Sequence, residues 1–343
     1  MKEETAATEA DVTVDASSGL DAVAVRKKRS VNRAKRQENL WGWLFVSLLV
    51  IGTTVFVYIA FVITIILAFT NYSGQPLFDY LGSMISSRNN DPLYWFKYMF
   101  SETNPLVAMS GDATNFWSTL GNSFFYLLGI PVGMILSIII AVCMSRDIKF
   151  TNTFRVIYYI PTVASVVSIS LIWKRLFDTN GVINNMLGTD IEWLAVGGGA
   201  ALRKVTILFL TVWKGLGGSI ILFVAGLNGV NASYHEAAEI DGANAWSIFW
   251  RITMPQIYPT IFYVLVTSVI GGMQIYVEPE LVYGSFGQAG VGTSVTPFVG
   301  YIMYRTNTSG WYGYGCALSV ILALIIFLLT LIQFGLDSRR DKI

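Results

Sequence analysis

Residues 231–255 read Asn231-Ala232-Ser233-Tyr234-His235-Glu236-Ala237-Ala238-Glu239-Ile240-Asp241-Gly242-Ala243-Asn244-Ala245-Trp246-Ser247-Ile248-Phe249-Trp250-Arg251-Ile252-Thr253-Met254-Pro255. Ser233 followed three residues later by Glu236 is a capping box and predicts a helix starting there. Gly242 can adopt the left-handed conformation that stops it. A helix of about two turns is too short to persist alone in water and needs a surface to hold it. A second helical stretch through Trp246, Phe249 and Trp250 then reaches Pro255. Residue chemistry alone is equally compatible with an amphipathic turn at a membrane interface.

On either side lie two long apolar stretches, residues 205–230, broken by Lys214, and residues 252–277, bounded by Arg251 and Glu278. A helix crosses about 30 Å of hydrocarbon with about 20 mostly apolar residues. Four further stretches qualify on that measure. They are residues 39–78 with an apolar heart at 41–69, the run between Asp112 and Arg146, residues 156–173, and the run between Arg305 and Asp337. The expected fold is an all-α membrane protein with six transmembrane helices spread over residues 39–336. Loop 231–255 falls between spans four and five.

Composition agrees. The 343 residues are 54% hydrophobic and only 13% charged, against about 25% charged in soluble domains. Lys and Arg number 23 against 22 Asp and Glu, so no basic surplus supports nucleic-acid binding. Cys143 and Cys316 lie within apolar runs and are expected to be small buried hydrophobes.

Charge distribution orients the spans. Residues 26–36 hold seven basic and no acidic side chains directly before span one, which predicts cytoplasmic N- and C-termini. Arg146, Lys149 and Arg155, and then Arg339, Arg340 and Lys342, fall on the same side. Segments 174–204 and 231–251 are assigned by parity. Residues 1–38 form an expected disordered, basic cytoplasmic tail, since residues 1–25 have almost no large apolar side chains. Residues 337–343 form a short cytoplasmic C-terminal tail. The apolar core of span one is too long for a cleaved secretory signal, so it reads as an anchor with Trp41 and Trp43 at the interface.

Several chemistries are missing from the sequence. No glycine-rich phosphate loop ending in Gly-Lys-Ser or Gly-Lys-Thr occurs. His235 is the single histidine and reads as a helix-surface residue rather than a metal ligand. Gly217-Gly218-Ser219 lacks the glycine that completes a nucleophile elbow. Apart from Lys214 the spans carry no mid-membrane charge, which disfavours ion-coupled transport. Lys214 is expected to snorkel toward an interface or wet cavity, with substrate contact as the other reading. Gly129 and Gly133 have helix-packing spacing.

Glu236-Ala237-Ala238, three residues, Gly242, nine residues, Ile252, one residue, Met254 and Pro255 resemble the coupling-loop signature of ATP-binding-cassette importer permeases. The pattern fixes residue types over 20 positions. Softer matches place the chain nearest the maltose-type sugar subgroup: Phe69-Thr70-Asn71-Tyr72, Phe154-Arg155, Ile160-Pro161, Ile172-Trp173-Lys174 with Phe177, Gly181 and Asn184, Val212-Trp213-Lys214, and Ala225-Gly226-Leu227. The chain departs from the family pattern at Asn231, at His235 and in the loosened turn Gly284-Ser285-Phe286-Gly287-Gln288.

The resemblance implies a permease subunit of a binding-protein-dependent sugar importer, in a prokaryotic cell membrane, working by alternating access. It implies a second, non-identical permease, two ATPase subunits that carry the ATP and Mg, and an extracytoplasmic sugar-binding protein. This chain is then not an enzyme and binds no cofactor. Glu236, Ala237, Ala238, Asp241, Gly242, Ile252 and Pro255 would couple to the ATPase. An importer of another polar solute, or an ATP-independent carrier or channel, is the alternative.

For the substrate path, Thr267, Ser268, Gly271, Gly272, Gln274 and Ile275 gather small and polar groups on one helical face. A tight helix contact would use the same residues. Tyr276 offers a ring for sugar stacking beside Gln274. In related permeases the sugar site is thought to lie between spans four and five, which would place Trp213, Gly215 and Gly218 opposite.

Overall fold

The computed structural model describes residues 39–76, 91–101, 115–145, 151–195, 199–284, 294–307 and 309–340. The tail expected over 1–38, the turn at 285–288 and residues 341–343 lie outside these. Met1–Ile63 and Thr64–Ile343 form two compact units. Among the described residues every regular element is helical.

Helix α1, Asn39–Ala68, contains a π-helical stretch at Thr54–Ile59. Its most apolar 18-residue window has no buried residue. A helix that is apolar on all sides suits an apolar surround such as lipid. Trp41 and Trp43 are both exposed near its start.

Phe116–Leu127 (α2) and Gly129–Met144 (α3) together make span two. Asn115 caps α2 by accepting a hydrogen bond from the Ser118 amide at 2.8 Å, while the Ser118 hydroxyl returns the capping-box contact. The continuous third span expected over 156–173 is instead two helices, Thr151–Val163 (α4) and Val166–Leu176 (α5), bent by 98°. An uncharged run does not reveal such a break. The Ser165 backbone, at φ −56° and ψ 128°, has already left the helical region.

Span four is Gly199–Asn228 (α6), which packs along α3 and α4. Glycine permits these approaches. A Cβ on Gly217 would collide with the Tyr158 carbonyl oxygen, and one on Gly129 would sit 3.0 Å from Val212 Cγ2. Gly133 also faces Val212, so the Gly129/Gly133 pair serves packing within the chain. In lipid, where apolar burial no longer drives helix association, such close contacts and interhelical hydrogen bonds do so. The Trp173 indole donates to the Thr206 carbonyl at 3.2 Å and Thr162 Oγ1 to the Lys214 carbonyl at 3.0 Å.

Span five is also broken. Ala245–Gln256 and Tyr258–Met273 (α7) meet at 64° about Ile257, and α7 stops at Met273 rather than continuing to 277. A separate short helix, Val277–Tyr283 (α8), then packs against α5 and α6. Phe298–Asn307 (α9) precedes the last span, Tyr312–Arg340 (α10). Among the described residues four unbroken helices are long and apolar enough to cross a membrane, and the two bent pairs, each counted as one span, bring the number to the expected six.

The largest buried cluster joins Met99, Phe116, Met273, Phe298, Tyr301, Tyr314 and Leu318. Arg305 is buried beside it, its guanidinium 5.0 Å from the Tyr301 ring and 5.3 Å from Trp311. The segment entering α9 is held by side chains of α2. Asn122 Nδ2 donates to the Thr296 carbonyl at 2.8 Å, the Tyr126 hydroxyl to the Val295 carbonyl at 2.7 Å, and the Phe298 amide donates to Ser123 Oγ at 2.8 Å. Irregular backbone persists within a membrane protein only when its polar groups are satisfied in this way.

The two thiols differ from the expectation of burial. Cys143 is exposed on its helix and Cys316 half-buried, because an apolar run in a membrane helix has a lipid-facing side that sequence alone does not distinguish.

Candidate functional site

Loop 231–255 folds as two helical arms. The first, Ala232–Ile240 (residues 232–240), is capped by Asn231, whose side chain accepts from the Ser233 amide at 3.0 Å. The N-cap therefore lies two residues before the expected Ser233, and it makes a single side-chain contact in place of the expected Ser233–Glu236 box. Asn is as good a cap as Ser, and Asn231, with extended backbone, occupies the position first. Gly242 ends the arm at φ +75°. There the Gly242 amide donates to the Glu239 carbonyl at 3.0 Å and the Ala243 amide to the Ala238 carbonyl at 2.9 Å.

The second arm starts at Asn244, which accepts from the Ser247 amide at 2.8 Å. It runs through Ala245–Ile248 and a π-helical turn, Phe249–Thr253, to Met254–Gln256. His235 is half-buried rather than a bare surface residue, its Nε2 3.1 Å from the hydroxyl of buried Thr253. Ala238 is buried, whereas Glu236, Ala237, Asp241 and Gly242 are exposed. Ile252 is half-buried and Pro255 exposed where the second arm turns toward span five. Ile240 and Trp246 stand 86% and 71% exposed. An exposed helix this short, carrying carboxylates and large apolar side chains, has the composition of a docking surface.

The second site is a cavity of about 480 Å³ between α2, α3, α4, α6 and the α7–α8 junction. That volume falls in the range of small-molecule sites, about 300–1,000 Å³. Gly215, Ser268, Gly271, Gly272, Gln274 and Tyr276 all line it; Trp213 and Gly218 do not. Trp213 instead stacks on Trp173 at 5.7 Å, and Gly218 lies against Thr162. The small-residue face divides between the two uses foreseen for it. A Cβ on Gly272 would press to 2.8 Å from Leu127, which is helix packing, whereas Gly215 and Gly271 face open space.

Sequence reasoning missed the other walls: Ser137 from α3, Thr162 from α4, Thr211 and Ser219 from α6. Ser137 is fully buried and its hydroxyl has no hydrogen-bond partner. Lys214 reaches the cavity, one of the two destinations expected for it, and is paired there rather than free. Its Nζ is 2.7 Å from Glu278 Oε1, with side-chain exposures of 26% and 13%. Glu278 appears in the sequence as the charge that ends span five, and only the break at Met273 turns it back toward α6. Tyr276 is bonded through its hydroxyl to Glu280.

The fold and these two sites define a multi-pass membrane permease with an exposed two-armed loop. The chain belongs to the family described as binding-protein-dependent transport system inner membrane component, whose pattern matches residues 129–342. It is 30% identical over 328 residues to the probable ABC transporter permease protein YesP of Bacillus subtilis, covering 94% of this chain and 96% of that one. It is 28% identical over 315 residues to the lactose transport system permease protein LacF of Rhizobium radiobacter, covering 89% and 97%. A chain of a bacterial alginate ABC transporter, crystallised with an alginate pentasaccharide-bound periplasmic protein, shares the fold. Its TM-score is 0.68 at 21% identity, covering 90% of this chain and 96% of that one.

Proposed function

We propose that the chain is the permease subunit of an ATP-driven, binding-protein-dependent importer of a sugar, an oligosaccharide in particular. The observation that carries this reading is the glycine- and hydroxyl-lined cavity of about 480 Å³ between spans, in a chain whose relatives include lactose and arabinooligosaccharide permeases. A flexible polyol needs many weak hydrogen-bond partners and room for rings, and glycine with Ser and Thr supplies both. Transport proceeds by alternating access, two packings of the spans whose balance shifts when a partner binds ATP.

Energy enters through loop 231–255. Glu236, Ala237, Ala238, Asp241 and Gly242 dock on an ATPase subunit, and Ile252 and Pro255 transmit the movement into span five. A second, non-identical permease completes the pathway, two ATPase subunits hold ATP and Mg, and an extracytoplasmic binding protein delivers the sugar. Both termini are cytoplasmic, on the strength of the seven basic residues at 26–36 and the even number of spans.

The test is reconstitution of the complex in proteoliposomes with its binding protein. ATP-dependent uptake of neutral oligosaccharides is expected. Uptake of amino acids or peptides instead, or sugar uptake that persists without the ATPase subunits, contradicts the reading. Single cysteines at Ser233 and Ser338 should react with an impermeant reagent only after cells are opened; labelling in intact cells reverses the orientation.

A further inference from the structure

We infer that the Lys214–Glu278 pair sets the charge specificity of the cavity, admitting neutral carbohydrates and excluding acidic ones. The inference rests on the sugar-import reading and names the substrate class within it.

Among the described residues that line the cavity, Lys214 and Glu278 are the two that carry charge. They come from different elements, 64 residues apart, and touch at 2.7 Å. Glu280 on the same short helix as Glu278 is engaged by Tyr276 and does not line the cavity. The cavity therefore presents two opposite charges that cancel locally, in a setting of low dielectric where an uncancelled charge acts strongly.

An ammonium has three donors and a carboxylate two acceptor oxygens. One donor and one oxygen are spent on each other, and the remainder project beside them. A pair of adjacent sugar hydroxyls can accept from the Lys214 ammonium and donate to Glu278 without separating the two. A uronate carboxylate cannot. It must either displace Glu278 from Lys214, leaving that carboxylate partly buried and unpaired, or stand beside it as a like charge. An amine meets the mirror-image penalty at Lys214. Ser137, fully buried in the wall and without a hydrogen-bond partner, supplies a further group for a neutral hydroxyl-rich ligand.

Removing the acidic member should invert the preference, since Lys214 would then offer an uncompensated cation to a carboxylate. The assembled complex, purified without its binding protein so that prior selection is absent, is titrated calorimetrically. The probes are neutral trisaccharides (maltotriose, raffinose, arabinotriose) and tri-galacturonate. Wild type should bind at least one neutral probe and show no measurable binding of tri-galacturonate. Glu278→Gln, and Glu278→Ala as a second variant, should gain tri-galacturonate binding by at least about tenfold and bind the neutral probe more weakly. The double variant K214Q/E278Q should lose the gain.

Equal binding of tri-galacturonate and the neutral probe by wild type overturns the inference, as does an assembled Glu278→Gln complex with no gain. Both results leave sugar import standing. Loss of assembly in both single variants with recovery in K214Q/E278Q makes the pair a structural tie and also overturns it. Failure of wild type to bind any neutral trisaccharide removes the sugar reading itself, and this inference with it.

Discussion

His235 Nε2 lies 3.1 Å from Thr253 Oγ1, a side-chain link between the first arm of the exposed loop and the π-helical turn that leads into span five. Thr253 is buried, so the contact is shielded from competing water. Under the proposed coupling role, a displacement of the first arm would reach the membrane span through this link as well as through the backbone at Gly242. His235→Ala is expected to assemble normally but to transport less sugar per ATP hydrolysed. An unchanged ratio of uptake to hydrolysis in proteoliposomes would show that the backbone carries the coupling alone.

Gly242 holds φ at +75°, while proline fixes φ near −65° and has no amide to donate. Gly242→Pro should therefore destroy the turn between the arms, with the protein still inserted and uptake lost. Asn231→Ala is milder. Loss of its cap contact, 3.0 Å to the Ser233 amide, costs about 1 kcal/mol of helix stability. It should weaken co-purification with the ATPase subunits without abolishing it. Normal binding-protein-stimulated hydrolysis in Gly242→Pro contradicts the coupling role.

Gly271 and Gly217 form a contrasting pair. A side chain on Gly271 meets open cavity, whereas one on Gly217 meets the Tyr158 carbonyl. Gly271→Trp should block uptake and leave the purified complex intact. Gly217→Ala should instead lower the yield and thermal stability of the complex. Ser268→Ala, at the cavity wall, should raise the sugar concentration for half-maximal uptake with assembly unaffected. Normal transport by an assembled Gly271→Trp complex means the substrate takes another route.

Asn184 is a buried hub in the short helix Val182–Leu187 that follows span three. Its Nδ2 donates to the carbonyls of Thr179 at 2.9 Å and Ile191 at 2.8 Å, and its Oδ1 accepts from the Trp193 indole at 2.8 Å. Each buried polar group left without a partner costs about 1–3 kcal/mol. Asn184→Ala should thus lower the thermal midpoint of the detergent-purified complex by several degrees. Asn184→Asp should recover little, because the carboxylate retains the indole contact but cannot donate to the two carbonyls. A midpoint equal to wild type would mean that water replaces the lost contacts.

The six-span architecture was written in local composition. A run of about 20 uncharged residues has one favourable environment, so spans such as 39–68 and 312–338 needed no knowledge of their neighbours. Gly242 was legible for the same reason, since a left-handed turn restricts the residue type at that one position. The bends at Ser165 and Ile257 were not, because they leave the hydrophobic run intact and change only its direction. Nor could sequence choose between Asn231 and Ser233 as the cap, two good capping residues separated by one position. The cavity depended most on tertiary structure. Gly271 and Gly272 are adjacent and chemically identical, yet one faces open space and the other faces Leu127. Lys214 finds Glu278 across 64 residues only because span five stops at Met273 and the chain folds back. Hydrophobic runs and turn glycines are properties of a few consecutive residues, whereas a cavity wall and an ion pair exist only once distant segments pack.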